Sequence, residues 1–388
     1  MVDRFLFSWC SLMRTLSRRD LEDYILGAGI LGCGGGGGAE WGMSMVEDAL
    51  KKGLEFRLAE ISELPKERRL CILSGVGGGV SKEDRERVAA YLQRFPRTRE
   101  RRVQLLRRVA KELADYIGEE FCAYIASETG PGNGILPMYL NAIEGKPCVD
   151  GDCCGRAKPE IGISLTNVAE IPVTPLAMVT PFEEVVILKS AVDDYRAEDI
   201  TRFVAVASGG GVTAARCPAT VEEYEKGIVP GQVSRCIRIG AAVREAREKG
   251  RDPLKAFQEE PGVYKIFEGT VSSFEVEGRR GFHWGEWHIE GADEFKGKRL
   301  RVWFKNENLI SWLDGEPYAM CPDLICIVDS ETCDGLSNFR ESGAYNGRRV
   351  TVFGVKAHER WRTPRGIEVF GPKHFGFDIE YIPLEELL

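Results

Sequence analysis

Seven residues constrain this chain more than any others: Gly32-Cys33-Gly34-Gly35-Gly36-Gly37-Gly38. Glycine is costly inside a helix or strand, so five in succession force a loop. Helical periodicity before it, at residues 21–30, and after it, at 41–52, makes this a helix-to-helix connection. No Gly-Lys-Ser/Thr follows and no strand precedes, so neither a phosphate-binding loop nor a dinucleotide fingerprint is present. Two readings stay open. The loop is a tight turn with unusual backbone angles, or it presents bare N–H groups to a carboxylate or oxyanion. Two further glycine clusters, at 75–79 and 130–134, follow strand-like runs and favour the second reading.

Those runs, at 56–61, 70–79, 121–128 and 184–191, alternate with helical patterns at 82–93, 103–117, 197–207 and 233–249. Strands alternating with helices, with glycine at the strand ends, imply a three-layer α/β domain whose site lies at those ends. After Pro261 the texture changes to short strand-like runs at 263–267, 269–276, 286–289, 300–304, 324–328, 349–355 and 367–370, with no convincing helix between them. The expected fold class is therefore α/β: a three-layer α/β N-terminal domain over 16–260 with glycine-rich loops, then a smaller β-rich C-terminal domain over 261–388. Residues 1–15 read as an extension, because Ser17-Arg18-Arg19-Asp20 is the first capping-box-like helix start.

With 388 residues the chain can bury an ample core without staples, and a net charge of −8 disfavours nucleic acid and anionic membrane as partners. The basic run at 97–108 continues as an amphipathic helix and reads as a solvated face. Twelve cysteines without regular spacing imply reduced thiols and a cytoplasmic location. The expected partner is a small-molecule substrate.

A second segment concentrates chemistry: Asp150-Gly151-Asp152-Cys153-Cys154-Gly155-Arg156-Ala157-Lys158-Pro159-Glu160. If extended, it places Asp150 and Asp152 on one face, where paired carboxylates raise one pKa for general-base work or hold a divalent metal. The competing reading is a loop whose aspartates cap turns and whose Arg156 pairs with Glu160. Cys148, Cys153 and Cys154 match no common zinc spacing. All four histidines fall at 283 or beyond, so no histidine triad can be confined to the N-terminal domain.

The ordered motifs resemble the S-methyl-thiohydantoin desulfurase-like family. The resemblance rests on 27–37, on Glu128 to Asn133, on Val149-Asp150-Gly151-Asp152 with Gly155-Arg156-Ala157 and Pro159-Glu160, and on 304–309, 322–325 and 371–376. It covers roughly 16–388. Here Cys33 stands where members usually carry threonine, Cys153-Cys154 where Gly-Met is common, and Lys158 where an aromatic is common. The resemblance implies a hydrolase of a thiohydantoin-like or hydantoin-like five-membered ring, with water adding at the C–S carbon and release of thiol or sulfide. Asp150, Asp152, Arg156 and Glu128 are then the expected catalytic residues. Cys33, Gly34, Gly35, Gly36, Gly132, Asn133 and Glu160 are the expected substrate-binding ones. The alternatives are a metal-dependent hydrolase using Asp150 and Asp152, and a non-catalytic ligand-binding or regulatory partner of a hydantoinase- or oxoprolinase-type enzyme. Assembly is open between a homo-oligomer and a hydantoinase-type partner.

Overall fold

The computed structural model describes residues 13–96 and 98–387, so the apolar extension at 1–12 lies outside the described residues. The first helix, α1 (Arg18–Leu31), starts where the capping signal lies. Ser17 accepts from the Asp20 N–H, and the Asp20 carboxylate accepts from the Ser17 N–H. Helix α2 (Ala39–Lys51) leaves the glycine loop. The helical pattern at 82–93 forms two short helices, Lys82–Arg87 and Ala89–Arg94, broken at Val88. Helices α3 (Arg99–Ile117), α4 (Ile135–Glu144), α5 (Asp194–Ala207) and α6 (Gln232–Glu248) follow.

The first large sheet contains β1 (Arg69–Gly77), β2 (Phe121–Ile125), β3 (Leu176–Val179), β4 (Val185–Leu188) and β5 (Gly211–Thr220), in the order β2-β1-β5-β3-β4. Only β1 and β2 run parallel; the other neighbours are antiparallel. Side chains alternate across β1. Cys71 and Leu73 join a core with Leu106 and Val109 of α3 and Leu136 and Leu140 of α4. Leu70, Ile72 and Val76 face Ala197 and Ala205 of α5 on the opposite side.

Central strand β5 has no counterpart among the sequence runs, because its alanines, Pro218 and a charged residue do not read as a strand. It tolerates Pro218 through a register shift opposite β1, where Cys217 takes φ 53°. Small side chains are what a strand covered on both faces by helices can hold.

The second large sheet is seven-stranded and antiparallel: β6 (Val263–Arg279), β7 (Phe282–Gly291), β8 (Arg299–Lys305), β9 (Glu307–Leu313), β10 (Glu316–Met320), β11 (Leu324–Asp329) and β12 (Arg349–Val355), in the order β10-β9-β8-β7-β6-β12-β11. Strand β6 is continuous where the sequence reads two runs, and β9 and β10 escape the sequence reading. The expected strand at 367–370 is instead the end of helix α7 (Pro364–Phe370), since Thr363 caps the Gly366 N–H and Pro364 presets the first turn. Mixed helix and strand content in two domains, the second strand-rich, is thus the architecture. Leu324, Cys326 and Val328 of β11 share a core with Leu31 and Cys33, which brings the glycine loop against the second sheet.

Candidate active site

A cavity of about 760 Å³ lies where the first glycine loop, the end of β1 and the second sheet meet. The loops interlock first. The Gly132 and Asn133 N–H groups donate to the Gly36 carbonyl at 3.1 and 2.9 Å. Gly36, at φ +80°, approaches so closely that a Cβ there would lie 2.5 Å from the Gly130 Cα. Past β2, Ala126 bridges Asp152 in parallel, and the Lys158 N–H donates to Glu128 at 2.9 Å. The 32–38, 128–133 and 150–160 segments therefore meet, and Gly36, Glu128, Asn133 and Glu160 all line the cavity.

The remaining expected site residues lie elsewhere. Asp150 and Asp152 do not share a face, because the chain bends at Asp150 between the two-residue strands Cys148–Val149 and Gly151–Asp152. Asp150 accepts from the Ser234 N–H and hydroxyl in the first turn of α6, at 3.0 and 2.5 Å. Asp152 accepts from the Thr129 hydroxyl at 2.5 Å and from the Cys154 and Gly155 N–H groups at 2.7 and 2.6 Å. Burial outweighs these bonds and raises its carboxyl to about 6. With their oxygens engaged by different elements, the two aspartates do not converge as metal ligands, and no group of three or more His, Cys, Asp or Glu suited to a metal occurs among the described residues.

Arg156 is fully buried outside the cavity and does not pair with Glu160. Its nitrogens donate to the carbonyls of Ala157, Asp323 and Asn308 at 3.1, 2.8 and 2.6 Å. Gly34 and Gly35 face the second domain: a Cβ on Gly34 would meet Asn338, and one on Gly35 would lie 1.9 Å from Glu307 Oε1. Gly132 sits under Trp41. Cys33 is buried with its sulfur 3.9 Å from Cys326 Sγ. Cys153 and Cys154 are buried free thiols pushed up by desolvation.

The cavity wall adds groups that the local sequence patterns do not mark. Glu307, at the start of β9, is buried, and its Oε2 has no hydrogen-bond partner. Desolvation, reinforced by the Glu128 charge, drives its carboxyl well above the usual range. Glu128 is also raised by burial, although Lys158 and the Asn133 amide, which donates at 2.6 Å, oppose that. Ser74, Ser127, Lys158, Arg202 and Arg216 are among the other polar residues of the wall, and His283 of β7 lines it from the second sheet. Glu160 pairs with Lys305 and with His374 Nε2, the latter at 3.0 Å. Burial alone would raise its carboxyl, but these partners outweigh burial and hold it at about 2. Gly36 and Gly37 also face the cavity, and their N–H groups have no acceptor among the described residues.

Comparisons with known proteins bear on the fold and the family. No curated protein matches the chain. A crystal structure of a protein from Chromobacterium violaceum shares the fold at a TM-score of 0.74 and 20% identity, over 96% of this chain and 100% of that one. No helix among the described residues is long and apolar enough to cross a membrane. The model of the S-Me-THD-like N-terminal domain matches residues 19–190 and that of the S-Me-THD-like C-terminal domain matches 192–384, and the chain belongs to this S-Me-THD-like family.

Proposed function

We propose that this protein is a hydrolase of a thiohydantoin-like or hydantoin-like five-membered ring bound in the cavity. The observation that carries the reading is the pair of buried carboxyls on the wall with different partners: Glu128 accepts from the Asn133 amide and the Lys158 N–H, whereas Glu307 Oε2 has no partner among the described residues. Such a divergence separates a base from an acid. Glu128, oriented by Asn133 and the Lys158 N–H, takes a proton from water as the oxygen adds to the ring carbon bearing sulfur. The Gly36 and Gly37 N–H groups offer stabilisation to the developing negative charge. Glu307, kept neutral and with a free oxygen, supplies a proton to the ring nitrogen or the departing sulfur.

Collapse of the adduct breaks the C–S bond, and the water oxygen becomes the new carbonyl oxygen. From an S-alkylated ring the two water protons end on nitrogen and on the released thiol; from a thiocarbonyl both leave with sulfide. A thiol ionises near pH 8.5, so sulfur departs without strong acid assistance. Asp152 and Arg156 serve as positioning residues, one tying Thr129 to its own loop and the other joining that loop to the second domain. The test is incubation of the purified protein with hydantoins, thiohydantoins and S-alkylated thiohydantoins while released thiol or sulfide is followed. Catalytic release supports the hydrolase; binding with no release from any ring would favour the non-catalytic ligand-binding role.

A further inference from the structure

The two large sheets have four edges, and three of them are guarded. On β2 the Tyr124 N–H and carbonyl both pair with the buried Asn141 amide of α4, at 2.9 and 2.8 Å. On β11 the carbonyls of Ile325 and Ile327 accept from Asn308 Nδ2 and from the Leu336 N–H, each at 3.0 Å. On β10 the guard lies in the sequence, where Glu316 brings a charge and Pro317 cannot donate to a ladder. The fourth edge, β4, has none of these devices. It reads Val185-Val186-Ile187-Leu188, with no charge, proline or glycine inside it, and all four residues are half-buried.

The Thr180 N–H donates to the Glu184 carbonyl at 3.0 Å, so by alternation Val186 and Leu188 form the hydrogen-bonded pairs with β3, opposite Met178 and Leu176. The N–H and carbonyl groups of Val185 and Ile187 then point away from the sheet, and none of them has a partner among the described residues. The strand is held extended, because Val185 and Ile187 pack on one core and Val186 and Leu188 on the other. Its two ends differ in charge: exposed Glu183 and Glu184 precede it, and exposed Lys189 follows it.

We propose that β4 is a dimerisation edge, on which a second copy of this chain adds its own β4 antiparallel about a twofold axis. Charge selects a second copy over a foreign strand, since antiparallel self-pairing sets the Glu183-Glu184 end of each strand against Lys189 of the other. Outward groups must meet outward groups, and the register that also matches these charges puts Val185 opposite Ile187 and the two Val186 residues facing each other on the axis. The ladder joins the two five-stranded sheets into one continuous sheet. Val192, four residues past the strand, is 92% exposed and adds apolar area near its end. The turn between β3 and β4 carries Pro181 to the cavity wall, so pairing also steadies that wall.

Sedimentation velocity of the full chain at about 100 μM, a concentration at which a small interface associates, should give twice the chain mass. Lys189→Glu sets like charges at both ends of the ladder and should weaken association about tenfold or more. Cross-linking reads the register. Val186→Cys places two thiols on the axis at the close Cα spacing of a non-hydrogen-bonded pair, about 4.5 Å. Glutathione disulfide should oxidise them to an intermolecular disulfide, itself being reduced to two glutathione thiols. Ile187→Cys, which faces Val185, and the unaltered protein should give no covalent dimer. Melting curves confirm that each variant is folded, and Lys189→Glu decides if Val186→Cys does not fold. A monomer at that concentration, association unchanged in Lys189→Glu, or a folded Val186→Cys that stays uncross-linked overturns the proposal.

Discussion

In the proposed reaction Glu128 is the base, buried beside N–H donors that favour its ionised form, and this makes its chemistry testable in isolation. Glu128→Gln keeps the acceptor for one neighbour and loses basicity, so turnover should fall by roughly 10²–10⁴ with little change in melting temperature. Because burial raises its pKa, activity in the unaltered protein should decline as pH falls through that raised value, and the variant should lose this limb. At Asp152 the same physics acts on stability. Its folded value of about 6 lies above the ordinary 3.8, so its contribution is full below about 4 and is lost as pH rises through about 6. The melting temperature of Asp152→Asn relative to the parent should therefore rise between pH 4 and pH 7; a constant difference would contradict the assignment. Cys153 and Cys154, with thiols pushed up by desolvation and lying off the cavity, should be dispensable, and the double Cys→Ala variant should retain turnover per folded molecule.

Elements meet here by backbone approach as much as by side-chain packing. The crossing of the 32–38 loop over the 130–133 turn leaves no room for a methyl group at Gly36, where the backbone also takes φ +80°. Gly36→Ala should cost about 1–3 kcal/mol through overpacking and added backbone strain. The calorimetric melting transition measures it, and an unchanged transition would mean that the two loops separate easily. The same close approach is seen between α1 and α6, where a Cβ on Gly27 would lie 2.0 Å from the Cys236 carbonyl and one on Gly240 would lie 1.9 Å from that of Asp23. Helices set this near to each other hold the Asp150 contact at the start of α6 in place.

For the whole molecule, the joint between the two domains combines an apolar core, where Leu31 and Cys33 pack against β11, with a buried polar contact that Arg156 makes to Asp323 and Asn308. Replacing Arg156 by Met leaves the carbonyls of Ala157, Asp323 and Asn308 without their guanidinium donors, at about 1–3 kcal/mol for each buried unsatisfied group. The expected outcome is a clear loss of melting temperature with the single-turnover rate per folded molecule preserved. A rate that collapses in a fully folded variant would return Arg156 to the chemistry as an electrostatic clamp. Around the cavity rim the same joint is made by Glu160 with Lys305 and His374, a contact between residues more than 140 positions apart.

The sequence by itself determined the local features of this protein. Ser17 and Asp20 fixed the start of α1, the glycine run forced a loop, and the apolar runs placed most strands, because capping, backbone entropy and side-chain alternation act over a few residues. It also marked Glu128, Asn133 and Glu160, through ordered motifs. Only the tertiary structure decided which groups share the cavity. One bend at Asp150 sent two aspartates of matching spacing to different partners. A strand of small residues, which the sequence does not mark as a strand, carried Arg216 to the wall. Glu307 arrived from a sheet far along the chain, against a glycine that has no side chain to exclude it. Burial and partners set the charge of each of these groups, and both arise from long-range packing that no local spacing encodes.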